Sequence, residues 1–281
     1  MAKNTKCNGL NLAFAALSLS QQPAAPDFGQ RFRTAAQEPG QIVPLILDVS
    51  ATIPKVDGAA GQQLADSLEP YLRQVFFAPS SIPGIERLGV VKHEVKSGEL
   101  PGAIAKRARI GAGMLKYLNA QYDERRINAG AKLNLLELSN GSLQLIVDIN
   151  RYRLAAWHQT PEGQFVLNMY VAVGVGAPES PTPSGTTKII DRVRNPAWTE
   201  PKTKQVFPHG DPGNVLGGYW IKLDPEGLGG VTGIGLHGYT GAPSIDWLSK
   251  GSSSGCVRML QPDIDRVFEL ALEGTKVVLV R

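Results

Sequence analysis

The sequence predicts a mainly β fold, with a C-terminal β-sandwich-like domain of mixed strands and a short helix, preceded by a small α+β module. Three observations support this prediction. The 281 residues include 31 glycines and 20 prolines, which favours many turns and short strands over long helices. From Ser142 onward, short apolar segments recur between turn residues. A hydrophobic content of 42% is sufficient for one large core or two modest ones.

Residues 1–26 resemble an export signal. Lys3 and Lys6 precede an apolar run at residues 10–19, and small residues follow it. This run is too short and too polar for a membrane-spanning helix, so we expect no stable membrane span. An ordinary N-terminal helix or a disordered leader is the alternative. Removal of the leader would also remove Cys7, one of the two cysteines in the chain. We expect an exported protein, located in the periplasm or the cell wall.

Residues 27–90 have no role that the sequence identifies. Residues 41–49 form an apolar run that suggests a strand, and residues 60–77 have the apolar spacing of a helix. Residues 91–137 form a separate small module in the order strand, helix, helix, strand. Its expected elements are a strand at 91–95, a turn at 96–100, helices from 104 to about 111 and at 114–119, and a turn into a closing strand at 127–133.

The segment 142–281 consists mostly of short predicted strands. Proline and glycine residues at 181–186 mark a rigid turn, and residues 193–218 form a long irregular insertion. The predicted strands lie at 143–148, 153–157, 165–175, 219–223, 233–237 and 276–280, and a helix is expected at 262–272.

Charge and motif patterns argue against several classes of function. The net charge is only +4, and the short basic stretches at 106–109 and 124–126 do not form the clustered basic face that nucleic acid requires. The four histidines show no close ligand pair, so we expect no metal. The glycine-rich segment 227–235 leads into a strand instead of a helix, which argues against a nucleotide loop. We expect no cofactor.

Cys256 and His237 are the candidate catalytic pair. A thiol needs a base to become a nucleophile, and an imidazole can take its proton and later return it to a leaving amine. A loop at residues 238–252 would close a pocket between the two. The candidate oxyanion site and its architecture are Gly255, Ser254, Ser253 and Gly238. Each residue also has a structural interpretation: a buried small thiol, a turn histidine and, for Arg258, a salt bridge.

Arg258 is a candidate substrate-binding residue. In a strand it would share the face of Cys256, two residues before it, and could hold a substrate carboxylate.

The C-terminal half resembles the L,D-transpeptidases, the YkuD-type domain, over about residues 142–281. The matching segments are His237-Gly238, Ser253-Ser254-Gly255-Cys256-Val257-Arg258-Met259, Pro181-Thr182-Pro183-Ser184-Gly185, Asn195-Pro196-Ala197-Trp198 and Gly274-Thr275-Lys276-Val277-Val278-Leu279. One departure is Ser254, which stands where many members carry a second histidine or a basic residue. The insertion at 199–217 is also longer than expected and would cap the cleft.

The resemblance implies a reaction on peptidoglycan. Cys256 attacks the carbonyl before the terminal D-alanine of a tetrapeptide stem, a thioester forms, and the amine of another stem resolves it into a cross-link between two third residues. His237 serves as base and acid. Arg258 holds the motif together or binds the donor, and Tyr219 and Trp220 line the cleft or belong to the core. Acylation by carbapenems is also implied.

The segment 91–137 resembles a LysM module, which implies binding of N-acetylglucosamine-containing glycan. The matching residues are Val95-Lys96-Ser97-Gly98-Glu99-Leu100, Ile104-Ala105, Leu115-Lys116-Tyr117-Leu118-Asn119 and Ala129-Gly130-Ala131-Lys132-Leu133, with Pro101 and Gly102 as departures. The expected partner is therefore peptidoglycan, through both stem peptides and glycan. An L,D-carboxypeptidase or wall hydrolase, and a non-catalytic wall-binding protein, remain the alternatives.

Overall fold

The computed structural model describes residues 28–120, 122–125, 127–200, 202–242 and 244–281. The predicted export signal, Cys7 and Arg126 lie outside the described residues. In the ranges described, no helix has both the length and the hydropathy that are needed to cross a membrane.

Three helices form the N-terminal part: α1 (Gly29–Gln37), α2 (Ile42–Thr52) and α3 (Gly58–Phe76). The helix predicted at 60–77 is confirmed as α3, whose first amides, those of Ala59 and Ala60, donate to the Asp57 carboxylate. The strand predicted at 41–49 is wrong, because this segment is α2. A short apolar run cannot by periodicity distinguish a buried strand from a buried helix, and most of α2 is buried.

The segment that follows has the predicted order of strand, helix, helix and strand. Its elements are β1 (Val90–Glu94), α4 (Pro101–Arg107), α5 (Gly113–Leu118) and β2 (Lys132–Leu136), and β1 pairs with β2 in antiparallel fashion. Pro101 begins α4, where the missing N–H of proline costs nothing because the first helical amides have no intrahelical partner.

The C-terminal half is built on a mixed sheet. Its strands and short hairpins are β3 (Leu143–Asp148), β4 (Arg153–Gln159), β5 (Phe165–Ala172), β6 (Val175–Gly176), β7 (Gly185–Arg194), β8 (Trp198–Thr199), β9 (Val206–Phe207), β10 (Tyr219–Leu223), β11 (Gly235–Gly238), β12 (Gly251–Ser253), β13 (Val257–Met259) and β14 (Lys276–Val280). Helix α6 (Gln261–Leu270) lies between the last two strands in sequence.

Among the described residues, the main sheet has eight strands in the order β13-β11-β10-β7-β14-β3-β4-β5. Its two edges meet, because Gly174, just after β5, exchanges both backbone hydrogen bonds with Arg258 of β13, each at 2.8 Å. The sheet is therefore nearly closed, and the predicted mainly β, sandwich-like or barrel-like fold class is confirmed. The insertion predicted as irregular contains the β8–β9 hairpin, in which Trp198 stacks on Phe207.

The N-terminal helices cover strand β5, which lies at the edge of the sheet. Ser50 of α2 accepts a hydrogen bond from the Leu167 amide at 3.1 Å, and Glu69 of α3 accepts one from the Tyr170 amide at 2.7 Å. An uncovered edge strand exposes unpaired amides that can recruit other chains. Part of the segment 27–90 therefore completes the fold of the C-terminal half.

Helix α6 holds the segment 91–137 in place. The amides of Gly111 and Gly113 donate to the Glu269 carbonyl at 2.6 Å and its carboxylate at 2.8 Å, and the Tyr117 hydroxyl donates to Asp265 at 2.7 Å. Buried apolar side chains from Phe28 to Leu279 belong to one continuous core. The small module is therefore packed against the sheet domain through α6.

Replacing Glu69 with alanine is expected to destabilise the fold by about 3–5 kcal/mol, as measured by urea unfolding followed by tryptophan fluorescence. Its carboxylate accepts from Arg266 at 2.8 Å and from Arg73 at 3.0 Å, and Arg266 also contacts Asp263 at 2.5 Å. Arg266 is only 4% exposed, so removal of Glu69 leaves a buried guanidinium with one partner fewer.

Two further variants control this prediction. Glu69→Gln keeps an acceptor for Tyr170 and should lose less stability, while Glu162→Ala, in an exposed turn, should change it by no more than about 0.5 kcal/mol. A Glu69→Ala protein as stable as the wild type would contradict the role given to this network.

Candidate active site

Three neighbouring strands position the candidate pair. Strand β11 pairs with β13 in parallel, with His237 opposite Arg258, and with β10 in antiparallel fashion, with His237 opposite Trp220. Because side chains alternate along a strand, these three residues share one face of the sheet. Leu236 and Val257 point to the other face and are fully buried.

Cys256 lies immediately before β13 and reaches the same region. Continuing the register of β11 and β13 places it opposite Gly235. Its thiol donates to the Gly233 carbonyl at 3.4 Å, and the Gly235 amide donates to the sulfur. Cys256 therefore lies beside Gly235 of β11, the strand that also carries His237.

Trp220 lies on this face beside His237. Its ring centroid lies 5.7 Å from that of His237. A Cβ added at Gly235 would lie 2.6 Å from the Trp220 ring and 2.5 Å from the Ile221 carbonyl oxygen. Glycine at this position is what allows the indole to lie against the β11 backbone beside His237.

The environment of His237 selects one tautomer. Its Nδ1 makes a very short hydrogen bond with the Gly238 carbonyl. Since a carbonyl can only accept, Nδ1 carries the proton, and Nε2 of the neutral ring has a free lone pair. Burial lowers the pKa of His237 to about 4, and the positive charge of Arg258 acts in the same direction. His237 is therefore a neutral base near neutral pH.

Burial raises the pKa of the Cys256 thiol, although the Gly235 amide and Arg258 oppose this by stabilising the thiolate. The two shifts favour the same state: a neutral thiol beside a neutral imidazole. Cys256 is therefore held as a protonated thiol, and nucleophilic attack by its sulfur would require transfer of this proton.

The loop before Cys256 is fixed by Ser253 and Gly255. The Ser253 hydroxyl accepts from the Gly255 amide at 3.1 Å and donates to the Cys256 carbonyl at 2.6 Å. Gly255 has φ +109°, a left-handed conformation that favours glycine. The Gly255 amide is thus engaged within the loop, whereas the amides of Ser254 and Cys256 remain the oxyanion donors to consider. The Ser254 side chain is exposed.

Arg258 links the nucleophile strand to the loop that follows His237. Its guanidinium lies 4.0 Å from the centroid of the Tyr239 ring, and Nη1 donates to the Ser252 carbonyl at 3.3 Å. Tyr239 in turn makes an edge contact with Trp247. Among the described residues, the buried Nε of Arg258 has no hydrogen-bond partner.

One predicted site residue lies on the other face of the sheet. Tyr219 is on the opposite face of β10 from Trp220, with its ring 4.8 Å from Phe268 of α6, so it does not line the face that holds His237. Gly238, predicted as part of the oxyanion site, ends β11, and its carbonyl accepts the hydrogen bond from His237. It packs against Gln261, whose side-chain nitrogen would lie 2.0 Å from an added Cβ.

The sequence analysis missed the contributions of Tyr239 and of the glycines at 233 and 235. Tyr239 directly follows His237-Gly238, but nothing in the sequence indicates that it stacks on Arg258. Within the described ranges, no cluster of three or more histidine, cysteine or acidic residues could hold a metal ion.

The C-terminal half is similar to known proteins. Residues 143–279 match the family model of the L,D-transpeptidase catalytic domain, YkuD. YqjB of Bacillus subtilis (strain 168), whose name places it among the L,D-transpeptidases, is 30% identical over 108 residues, or 38% of this chain and 57% of YqjB. YkuD of the same organism, named likewise, is 29% identical over 109 residues, or 39% of this chain and 51% of that protein.

The match thus spans about half the length of these two relatives. Among solved structures, an L,D-transpeptidase from Mycobacterium tuberculosis H37Rv is 17% identical with a TM-score of 0.37, covering 53% of this chain and 64% of that one. The family-model match includes β3 to β14 and therefore both His237 and Cys256. Residues 143–279 of this chain are therefore similar to the catalytic domain of the YkuD-type L,D-transpeptidases.

Proposed function

We propose that this protein is a peptidoglycan L,D-transpeptidase in which Cys256 is the nucleophile and His237 the general base. The observation that carries the proposal is that the Cys256 sulfur contacts Gly233 and Gly235, at the start of the strand β11 that carries His237, while the His237 Nδ1 proton is committed to the Gly238 carbonyl. An imidazole held in this tautomer presents an unprotonated Nε2 to its surroundings.

The first half-reaction forms a thioester. The Cys256 thiol transfers its proton to Nε2 of His237 as the sulfur attacks the carbonyl of the third stem residue. The carbonyl oxygen becomes an oxyanion, for which the Cys256 amide and the Arg258 Nε–H are the donors we propose. When the tetrahedral intermediate collapses, the C–N bond to D-alanine breaks, and the leaving amine takes the proton from the imidazolium.

The second half-reaction transfers the acyl group. The side-chain amine of another stem attacks the thioester carbonyl and gives a proton to His237. The C–S bond then breaks, the thiolate is protonated by the imidazolium, and an amide between two third residues is formed. Water in place of the amine would yield a free carboxylate, which is the carboxypeptidase alternative. The exposed Ser254 supplies no second imidazole, so His237 performs every proton transfer.

We further propose that the segment 91–137 binds glycan as a LysM-like module. Support comes from its strand–helix–helix–strand order and the antiparallel pairing of β1 with β2. Its attachment to α6 would hold the glycan strand at a constant position relative to Cys256. Since the substrate lies outside the cytoplasm, the proposal includes export to the periplasm or cell wall.

The test is the fate of a tetrapeptide stem that ends in a diamino acid followed by D-alanine. Incubation with the full chain should release D-alanine, and added acceptor stem should produce a dimer whose mass is the sum of the two peptides minus D-alanine. Stems carrying lysine and diaminopimelate at the third position should be compared.

The outcomes separate the alternatives. Release of D-alanine with tripeptide as the sole product, even with acceptor in excess, would show a carboxypeptidase. Glycan binding without any release would show a wall-binding protein and contradict the proposal.

A further inference from the structure

Thr182, which is distant from the nucleophile in sequence, contacts the loop that carries it. Its hydroxyl donates to the Gly255 carbonyl at 2.8 Å and accepts from the Gly176 amide at 2.8 Å. The side chain is 1% exposed, so both contacts are shielded from water. The bond to Gly255 spans 73 residues of sequence. Neither Thr182 nor Gly255 belongs to a strand, so this bond joins two loops directly.

The Thr182 backbone is itself held tightly. Pro181 and Pro183 flank it and restrict their own φ angles, and the Thr182 carbonyl accepts from Arg281 at 2.9 Å. A Cβ added at Gly176 would lie 2.4 Å from the Thr182 nitrogen, so the two segments approach as closely as glycine permits. The hydroxyl is therefore presented to Gly255 from a rigid support.

The orientation of the Gly255 carbonyl determines the direction of the Cys256 amide. The two groups belong to one peptide unit, and in a planar trans peptide the C=O and the N–H point in opposite directions. The amide is therefore directed away from Thr182.

The backbone groups that follow Cys256 have strand partners. Arg258 exchanges its backbone bonds with Gly174, and the backbone groups of Val257 face β11. The Ser253 hydroxyl donates to the Cys256 carbonyl, so the amide is the backbone group of Cys256 that is left to consider as an oxyanion donor.

We propose that Thr182 is a positioning residue for acyl transfer: by holding the Gly255 carbonyl, it aims the Cys256 amide at the oxyanion that forms on the attacked carbonyl. This inference rests on the proposed function. Thr182 touches neither the substrate nor the sulfur. Its effect should be confined to steps that develop an oxyanion and should not extend to the reactivity of the thiol in general.

The test compares two reactions of the same sulfur. Acylation by the tetrapeptide stem, followed as D-alanine release, develops an oxyanion. Alkylation by iodoacetamide, followed by mass, displaces iodide at a saturated carbon and develops none. Thr182→Val should slow acylation by about 10²-fold, the cost of small misplacement of a catalytic group, and leave alkylation unchanged. Thr182→Ser should restore acylation to within a few-fold of wild type.

Thr187→Val is the matched control. Its hydroxyl is also buried and donates to a backbone carbonyl, that of Asp224, at 2.7 Å, but it lies on β7. This variant should lose stability without losing acylation. Thr182→Ala, which lacks the hydroxyl and is smaller than valine, replaces Thr182→Val if the latter does not fold.

Equal losses of acylation and alkylation in Thr182→Val, or no loss in either, would overturn the role of Thr182. The proposed function would still stand if the wild type releases D-alanine. If the wild type releases no D-alanine although iodoacetamide still alkylates Cys256, the proposed function fails, and the inference fails with it.

Discussion

Replacement of Cys256 by alanine is expected to lower D-alanine release from the tetrapeptide stem by on the order of 10⁴-fold or more, because no other group near the site can take its place. The Ser253 hydroxyl is bonded to the Cys256 carbonyl and the Gly255 amide, and the Ser254 side chain is exposed. The measurement is chromatographic quantitation of D-alanine over long incubations.

Cys256→Ser is the conservative variant. It keeps a hydroxyl in place of the thiol, but a weakly basic imidazole cannot deprotonate a hydroxyl effectively, so this variant should also be severely impaired. Tyr219→Phe is the matched control, because Tyr219 packs on Phe268 on the other face of β10 and should be dispensable for turnover. Retained release by Cys256→Ala would exclude Cys256 as the nucleophile.

Replacing His237 with glutamine is expected to lower kcat/KM by about 10²- to 10⁴-fold, the usual contribution of a general base. The glutamine amide can still donate to the Gly238 carbonyl but has no basic nitrogen. The pH dependence provides the sharper readout. Because the pKa of His237 is lowered to about 4, wild-type kcat/KM should be level near neutral pH and fall only as the pH drops through about 4, where the ring becomes protonated.

This acidic limb should be absent from the His237→Gln variant. His158→Gln is the matched control. His158 is also fully buried, bonds Asn168 at 2.9 Å, and has its pKa lowered by burial, but it lies near Phe76, away from Cys256. It should alter stability and leave the limb in place. A His237→Gln enzyme with wild-type rate and an unchanged acidic limb would contradict the assignment of the base.

Circular dichroism at each pH must accompany these profiles. The folded-state pKa of His237 lies below its ordinary value of 6.5, so the unfolded chain binds more protons between about pH 4 and 6.5. Stability from this group is present above pH 6.5 and decreases as the pH falls toward 4, by roughly 3 kcal/mol in total. Loss of activity must therefore be separated from loss of structure.

Most strands were predictable because their apolar residues alternate between two environments. The predictions at 143–148, 219–223 and 276–280 match β3, β10 and β14 at both ends. Alternation fails where an element is buried on most sides, which is why α2 was predicted as a strand. It also fails for very short pairings such as the β8–β9 hairpin within the insertion, whose partner is set by chain geometry and by the Trp198–Phe207 stack.

For the candidate site, the sequence indicated which residues have reactive side chains, but it did not indicate the direction in which each side chain points. Tyr219 and Trp220 are neighbouring aromatic residues that the sequence does not distinguish as site or core residues. Because side chains alternate along β10, Tyr219 packs on Phe268 and Trp220 packs on His237. Similarly, Thr182 belongs to a proline-bounded turn in the sequence, and its bond to Gly255 exists only once the two edges of the sheet have met.

The sequence by itself determined the candidate reactive groups, the thiol of Cys256 and the imidazole of His237 within a run of strands and glycine turns, since these depend on residue identity and local pattern. Only the tertiary structure decided the protonation state, the tautomer and the support of those groups. The reason is physical: burial, the Gly238 acceptor and the contacts from Trp220, Arg258 and Thr182 come from segments distant in sequence or from a particular backbone direction.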